Sequence, residues 1–178
     1  MGKEDFVKEY KKYLNEVIEK EDLTLNLEPN ICTKEGIETE IKNKRLIEQK
    51  QKGLYSVYFH PIGGQFQLKD LKEILDVVEE VKNIELRLTM TEGIYFRNLN
   101  GKEAEKLLKL TEGRGGETHL EQSVSCIGVP ICQMGLLNSQ KVLRDIIDYF
   151  REKRMTKDII PRIHISGCMN SCGIHQAC

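Results

Sequence analysis

The chain has 178 residues, enough for one compact domain or two small units, and with 31% charged residues it contains no apolar run of about 18 residues to span a bilayer. Its 27 Lys+Arg against 28 Asp+Glu leave a net charge of −1, which argues against a uniformly basic nucleic-acid binder. The charged N-terminus lacks the apolar core of a secretory signal, so the chain reads as cytoplasmic. In that compartment six cysteines point to metal ligands or catalytic thiols rather than disulfides.

Phe6, Tyr10, Tyr13, Leu14, Val17 and Ile18 recur at helical spacing, which predicts an amphipathic helix at the start of the chain. Residues 21–52 then run polar and irregular, with Lys42, Lys44, Arg45, Lys50 and Lys52 among acids, and read as a solvated connection. After Gly53 the run LYSVYFH is rich in β-formers, and a turn at 61–64 precedes QLKDLKEILDVVEEV, where Leu68, Leu71, Ile74, Leu75 and Val78 share one helical face. In IELRLTM the apolar Ile84, Leu86, Leu88 and Met90 alternate with polar residues, which predicts a half-buried strand. GIYFRNL reads as a further strand and KEAEKLLKL as a short helix. The order β, α, β, β, α predicts an α+β unit, a small sheet with helices on one face. GRGGE at 113–117 breaks the periodicity and marks a junction. Beyond it, Val142, Leu143, Ile146, Ile147 and Phe150 predict a helix capped by Asn138 or Ser139, and IPRIHIS predicts a strand feeding a cysteine loop.

Cys126 and Cys132 are separated by five residues, Cys168 and Cys172 by three, and the pairs by 35. Four thiolates in two close pairs suit a cubane cluster or a tetrahedral zinc. A five-residue gap is loose for a zinc knuckle, so the spacing leans towards iron and sulfur, with zinc and unligated thiols as alternatives. Gly128, Gly167 and Gly173 beside the cysteines would let the backbone aim N–H groups at sulfur, a lever on reduction potential.

GLYSVYFHPIGG, ELRLTMTEGIYFRNL, CIGVPIC and IHISGCMNSCG stand in the order found in the sirohaem-dependent nitrite and sulfite reductases, and from about residue 46 onward the chain resembles the C-terminal half of such an enzyme. EQKQKGL is similar to that family's linker into its second ferredoxin-like half-domain. The resemblance implies a lead-in helix and linker over 1–52, a ferredoxin-like half-domain over 53–112 and a sirohaem/4Fe-4S domain, incomplete at its C-terminus, over 113–178. It also implies an oxidoreductase with two cofactors, sirohaem and a 4Fe-4S cluster. Cys126, Cys132, Cys168 and Cys172 would hold the cluster, with the sulfur of Cys172 bridging to the sirohaem iron. Such enzymes take nitrite to ammonia or sulfite to sulfide with six electrons. The implied partners are the missing N-terminal half, an electron donor such as ferredoxin or an NAD(P)H-dependent flavoprotein, and the small anion; neither nucleic acid nor membrane is expected. Without the other half, the segment is expected to be inactive alone. Met169 stands where the family commonly has Pro.

Sirohaem carries eight carboxylates, so Arg87, on the face opposite Leu86 and Leu88, is a candidate partner for one of them. Asn170, between two ligands, is a stronger candidate for cofactor contact than Gln176. His164 reads as a structural histidine, His175 follows the cluster loop, and His60 and His119 give no signal. Cys32 and Cys178 lie outside the paired spacing and read as non-ligands. Neither a Rossmann fingerprint nor a P-loop is present.

Overall fold

The computed structural model describes residues 2–22, 32–155 and 158–174, in two units that divide between Ile31 and Cys32. The first unit is helix α1, Lys3–Ile18, whose apolar stripe lies open: Phe6 is 59% exposed and stacks on Tyr10, and Tyr13, Val17 and Ile18 are exposed as well.

The second unit is built on a four-stranded antiparallel sheet of order β1-β2-β4-β3, formed by β1 Leu46–Glu48, β2 Leu54–Phe59, β3 Glu85–Leu88 and β4 Ile94–Asn100. Helices α2, Leu68–Val78, and α3, Gly101–Leu110, cover one face. Tyr55, Val57 and Phe59 alternate towards that face and meet Ile74 and Val78 of α2 and Ala104, Leu107 and Leu108 of α3. Leu68 departs from the predicted helical face: it opens α2 and is 85% exposed, beyond the reach of the sheet. On β4, Phe96 and Leu99 are three residues apart, and regular pleating would send them to opposite faces. Both are core residues, because Asn98 takes φ +63° at a register shift between β2 and β4 that resets the alternation. Asn tolerates the left-handed region better than most residues, and its amide donates to the Asn83 carbonyl at 2.9 Å. Asn100 then caps α3 in a reciprocal box: its side chain accepts from the Glu103 N–H, and the Glu103 carboxylate accepts from the Asn100 N–H.

The second half of the 21–52 segment is not a solvated connection. It supplies strand β1, and residues 36–37 lie so close to the chain at 52–53 that a Cβ on Gly36 would meet the Lys52 carbonyl oxygen at 2.0 Å. Gly53, at φ +72°, permits the turn from that contact into β2. Lys34 pairs with Glu103, and Gly101 donates its N–H to the Ile37 carbonyl at 2.7 Å, so this segment runs along the start of α3. Arg45 is 2% exposed: its guanidinium donates to Thr111 Oγ1 and the Leu108 carbonyl and faces Glu117 at 3.7 Å. Burial pulls the Arg45 pKa below its ordinary value, and Glu117, Glu121 and Glu112 oppose that pull. Arg45 looked wet because hydropathy cannot see a carboxylate contributed from 72 positions away, at Glu117.

Beyond α3, strand β5, Val124–Ser125, pairs in parallel with β6, His164–Ile165, and helix α4, Ser139–Glu152, packs against them. Leu143 and Ile147 of α4 join Leu120 in a second small core. Asn138 is the cap of α4, accepting from the Lys141 N–H. Arg151 on α4 grips Glu121, whose other oxygen accepts from the Glu117 N–H, so that carboxylates and arginines connect α4 to the loop that faces Arg45.

His60, at the end of β2, is fully buried, with Nε2 2.7 Å from the Thr91 carbonyl and Nδ1 without a hydrogen-bond partner among the described residues. Burial pushes its pKa below the ordinary value, against the hydrogen bond to Thr91. The unfolded chain therefore takes up a proton at about pH 6.5 that the folded chain refuses, and stability must fall as pH drops below that point, by at most about 1.4 kcal/mol per pH unit. Urea midpoints are expected to fall between pH 7.5 and 5.5 in the native chain, and by less in His60→Gln.

Candidate metal centre

The cysteine pairs sit on two loops that the β5-β6 ladder brings side by side. Cys126 directly follows β5, and its N–H donates to the Ile165 carbonyl of β6 at 3.0 Å. From there the chain makes a closed loop, with the Cys132 N–H on the Gly128 carbonyl at 2.8 Å and the Val129 N–H on the Leu137 carbonyl at 3.2 Å. The second loop leaves β6 through Gly167, whose carbonyl accepts from both Leu136 and Leu137 N–H groups, at 2.9 and 3.1 Å. Gly167 N–H points at Cys126 Sγ, 3.0 Å away, and a Cβ at Gly167 would stand 3.2 Å from that sulfur. That Cβ would also stand 2.9 Å from the Leu137 carbonyl oxygen, a contact that would force the two loops to shift.

Cys126 has the most structured surroundings of the four. Burial opposes ionisation of its thiol, but the Ser139 hydroxyl and the Gly167 and Gly128 N–H groups together hold its pKa below the ordinary value. Cys132 and Cys168 are half-buried and Cys172 is exposed. The apolar Ile131, Met134, Leu136 and Met169 of the same two loops are all more than half exposed. Asn170 is exposed at the tip of the Cys168–Cys172 loop. His164 Nδ1 lies 2.9 Å from the Gly173 carbonyl and so ties β6 to the end of that loop, as a structural histidine should. Gly173 donates its N–H to Ser166 Oγ instead of to a sulfur.

By number and chemistry, four free thiols on clasped loops fit a cubane cluster. Their sulfurs are not drawn together: among the described residues, no three His, Cys, Asp or Glu side chains form a group able to hold a metal ion. Cys32 is half-buried in the segment before β1; Cys178, His175 and Gln176 lie outside the described residues.

Arg87 lies on the sheet face away from the helices, 60% exposed along its side chain, with Nε 2.6 Å from Glu85, which also holds Arg97 at 2.7 Å. On the same face, Thr89, Tyr58, Tyr95, Lys44 and Arg162 line a cleft of about 500 Å³. Arg87 is not part of that lining.

Residues 47–113 match the family model of the nitrite/sulfite reductase ferredoxin-like half domain. Through that half-domain, the chain belongs to the nitrite/sulfite reductase family. It is 31% identical over 135 residues to a chloroplastic ferredoxin–nitrite reductase of Zea mays, covering 70% of this chain and 23% of that one. A coenzyme F420-dependent sulfite reductase of Methanocaldococcus jannaschii is 30% identical over 115 residues, covering 62% of this chain and 18% of its own length. The chain thus spans less than a quarter of either relative. Among solved structures, the Mycobacterium tuberculosis NirA protein shares the fold at a TM-score of 0.60 with 18% identity, over 79% of this chain and 27% of that one. No described helix is long and apolar enough to cross a membrane.

In this nitrite/sulfite reductase family chain, sequence reasoning passed over two residues beside Cys126. Ser139 Oγ lies 2.7 Å from the Cys126 carbonyl oxygen and 3.1 Å from its sulfur. Gln140 Nε2 donates to the Gly63 and Ser125 carbonyls, both at 2.9 Å, and to that of Cys126 at 3.3 Å, holding the first cysteine against the 61–64 turn. Glu92, at the β3-β4 turn, accepts from the Ser125 N–H at 3.4 Å, and burial pushes its pKa up. The only signal in the sequence was the polar Asn-Ser-Gln run at 138–140, which reads equally well as a helix cap.

Proposed function

We propose that this chain is the cluster-bearing part of a sirohaem and 4Fe-4S reductase that catalyses the six-electron reduction of nitrite to ammonia or of sulfite to sulfide. The proposed division is a lead-in through residue 52, the half-domain over 53–112 and the cluster region from 113. Cys126, Cys132, Cys168 and Cys172 are the proposed cluster ligands, Cys172 also being the link to the sirohaem iron. When bound, the cluster would feed electrons singly towards an anion held at that iron. The observation that carries this reading is the Gly167 clasp, which sets the two cysteine loops against each other with a backbone N–H already on Cys126 sulfur.

The chain's own residues would supply the frame. Gly167 and Gly128 present N–H groups to Cys126, His164 steadies the end of the CxxxC loop, and the exposed apolar residues of both loops would exclude water once covered. Arg87 would exchange Glu85 for a cofactor carboxylate, and Asn170 would contribute an amide beside Cys172. Ferredoxin or an NAD(P)H-dependent flavoprotein would donate the electrons, and the remaining half of the reductase would supply most of the anion pocket.

The test has two parts. Anaerobic reconstitution of the 178-residue chain with iron and sulfide should give a brown protein with equal iron and acid-labile sulfide. Stoichiometric zinc, with no visible absorption, would instead make it a zinc-stabilised module. Viologen-driven nitrite and sulfite reduction should be absent from this chain alone, because sirohaem needs walls from both halves, and present in a longer protein carrying both. Robust turnover by residues 1–178 alone would move the chemistry to another site.

A further inference from the structure

We infer that the free edge of β3 is a self-association surface: Glu85–Leu88 pairs antiparallel with the same strand of a second copy of this chain, about a two-fold axis at Leu86, and joins two four-stranded sheets into one. The inference stands on the half-domain and draws nothing from the cysteine loops.

In the order β1-β2-β4-β3, β3 is an outer strand, and among the described residues no strand pairs with its far side. Which backbone groups lie on that side follows from the ladder to β4. Its pairs are Glu85↔Arg97, Leu86↔Phe96, Arg87↔Tyr95 and Leu88↔Ile94, and just beyond them the Thr89 N–H donates to the Gly93 carbonyl at 2.9 Å. Residues of an antiparallel strand bond one neighbour alternately, so Glu85, Arg87 and Thr89 bond β4, and the N–H and C=O groups of Leu86 and Leu88 face outward. Proteins commonly blunt such an edge with Pro, a bulge or charge. Here Pro is absent from the strand and its register against β4 is unbroken. The side chains are open as well: Leu86 is 48% and Leu88 81% exposed.

The remaining device is charge, on Glu85 and Arg87, and that charge selects the partner. With Leu86 set against Leu86 of a second copy, Glu85 falls opposite the copy's Arg87, Arg87 opposite its Glu85, and Leu88 opposite its Ile84. The neighbouring registers that keep the same faces together put Arg87 on Arg87 or Glu85 on Glu85, and like charges directly opposite are destabilising. The bonding pattern favours the same register. Leu86, whose N–H and C=O face outward, exchanges both bonds with its copy, and Glu85 and Arg87 fall in the unbonded positions, where opposed side chains approach closest. Arg87 uses Nε on its own Glu85, at 2.6 Å, and its other guanidinium donors have no hydrogen-bond partner among the described residues, which leaves them for the Glu85 of the second copy. Asn83 at φ +58° and Glu92 at φ +64° bound the extended run, so a longer slip finds no strand to pair with. One two-fold axis makes every contact twice from a single sequence.

The test is sedimentation velocity of the 178-residue chain, kept reduced and without cofactor, so that the proposed contact of Arg87 with a cofactor carboxylate does not compete. Concentrations run from about 5 to about 500 μM, the range suited to an interface this small. The native chain should move from 20.5 kDa towards twice that mass. Arg87→Glu and Glu85→Arg, each alone, set like charges opposite and should weaken dimerisation about tenfold or more. Mixed one to one, the two variants should form a heterodimer as tight as the native dimer, because every opposed pair is then one acid and one base. A native chain that stays monomeric throughout overturns the inference. Native-strength dimers of either variant alone, or folded variants that do not associate when mixed, overturn it too. If a variant does not fold, amide exchange in the native chain decides: the Leu86 and Leu88 N–H groups should gain protection as concentration rises, while that of Arg87, bonded to β4, is protected throughout. Concentration-independent exchange at Leu86 and Leu88 overturns the pairing. So does a dimer that Tyr10→Lys abolishes and the β3 variants leave intact, since the exposed stripe of α1 would then be the interface.

Discussion

Replacing Cys126, Cys132, Cys168 or Cys172 by Ser, one at a time, is expected to abolish cluster assembly, taking bound iron and acid-labile sulfide from about four of each per chain to background after anaerobic reconstitution. Cys32→Ser and Cys178→Ser should keep the full content. The asymmetry follows from position: the four paired cysteines lie on the two loops joined through Gly167, whereas Cys32 sits in the segment ahead of β1. Hydroxyl is a poor substitute for thiolate towards iron, so the loss should be near complete at each of the four positions. Iron and sulfide analysis on the six variants decides the matter. Full iron content in Cys132→Ser, or its loss in Cys32→Ser, would falsify the ligand set. A cluster lost only after exposure to air carries no weight, because exposed cubanes are oxidised readily.

The largest stability effect is expected at Arg45, in a stretch that looked dispensable from composition. Arg45→Ala removes the donor to Thr111 Oγ1 and the Leu108 carbonyl, opens a buried space at the end of α3 and leaves Glu117 without its facing cation. Breaking a buried charged contact from one side costs about 3–5 kcal/mol, and Glu117 is partly exposed, which places the expected loss near the lower end, about 3 kcal/mol. For a chain of this size that is a fall of roughly 6–12 °C in melting temperature. Lys52→Ala, which breaks an exposed pair with Glu38 in the same segment, should leave the melting temperature unchanged. Thermal unfolding of the two variants side by side measures the contrast. Equal, small effects would show that Arg45 is solvated in solution.

The regular elements were legible because their periodicity is local. The stripe Ile74, Val78 and the run Ala104, Leu107, Leu108 announce helices whose buried faces are those in the core, and Leu143 and Ile147 do the same for α4. The two cysteine loops were legible for a related reason: residues that share a loop are close in sequence, so the pairs Cys126/Cys132 and Cys168/Cys172 could be read from their spacing. Leu68 misled because a helical face extends past the neighbour it packs on, and periodicity does not say where that neighbour ends.

What the sequence by itself determined was therefore the order β2, α2, β3, β4, α3 within the half-domain, the helices α1 and α4, and the family resemblance. Tertiary structure decided everything that depends on residues far apart in the chain. The three-residue strand β1 is too short to show a period and exists because β2 offers it an edge. Phe96 and Leu99 both enter the core only because Asn98 turns left-handed where the ladder shifts register, and alternation predicts the opposite for one of them. Arg45 is buried because Thr111, Leu108 and Glu117 close over it, and Ser139 reaches Cys126 because α4 starts against β5. Hydrophobic patterning records which side chains avoid water. It does not record which buried polar atom will find which partner, since that pairing is set by three-dimensional packing once the apolar faces have met.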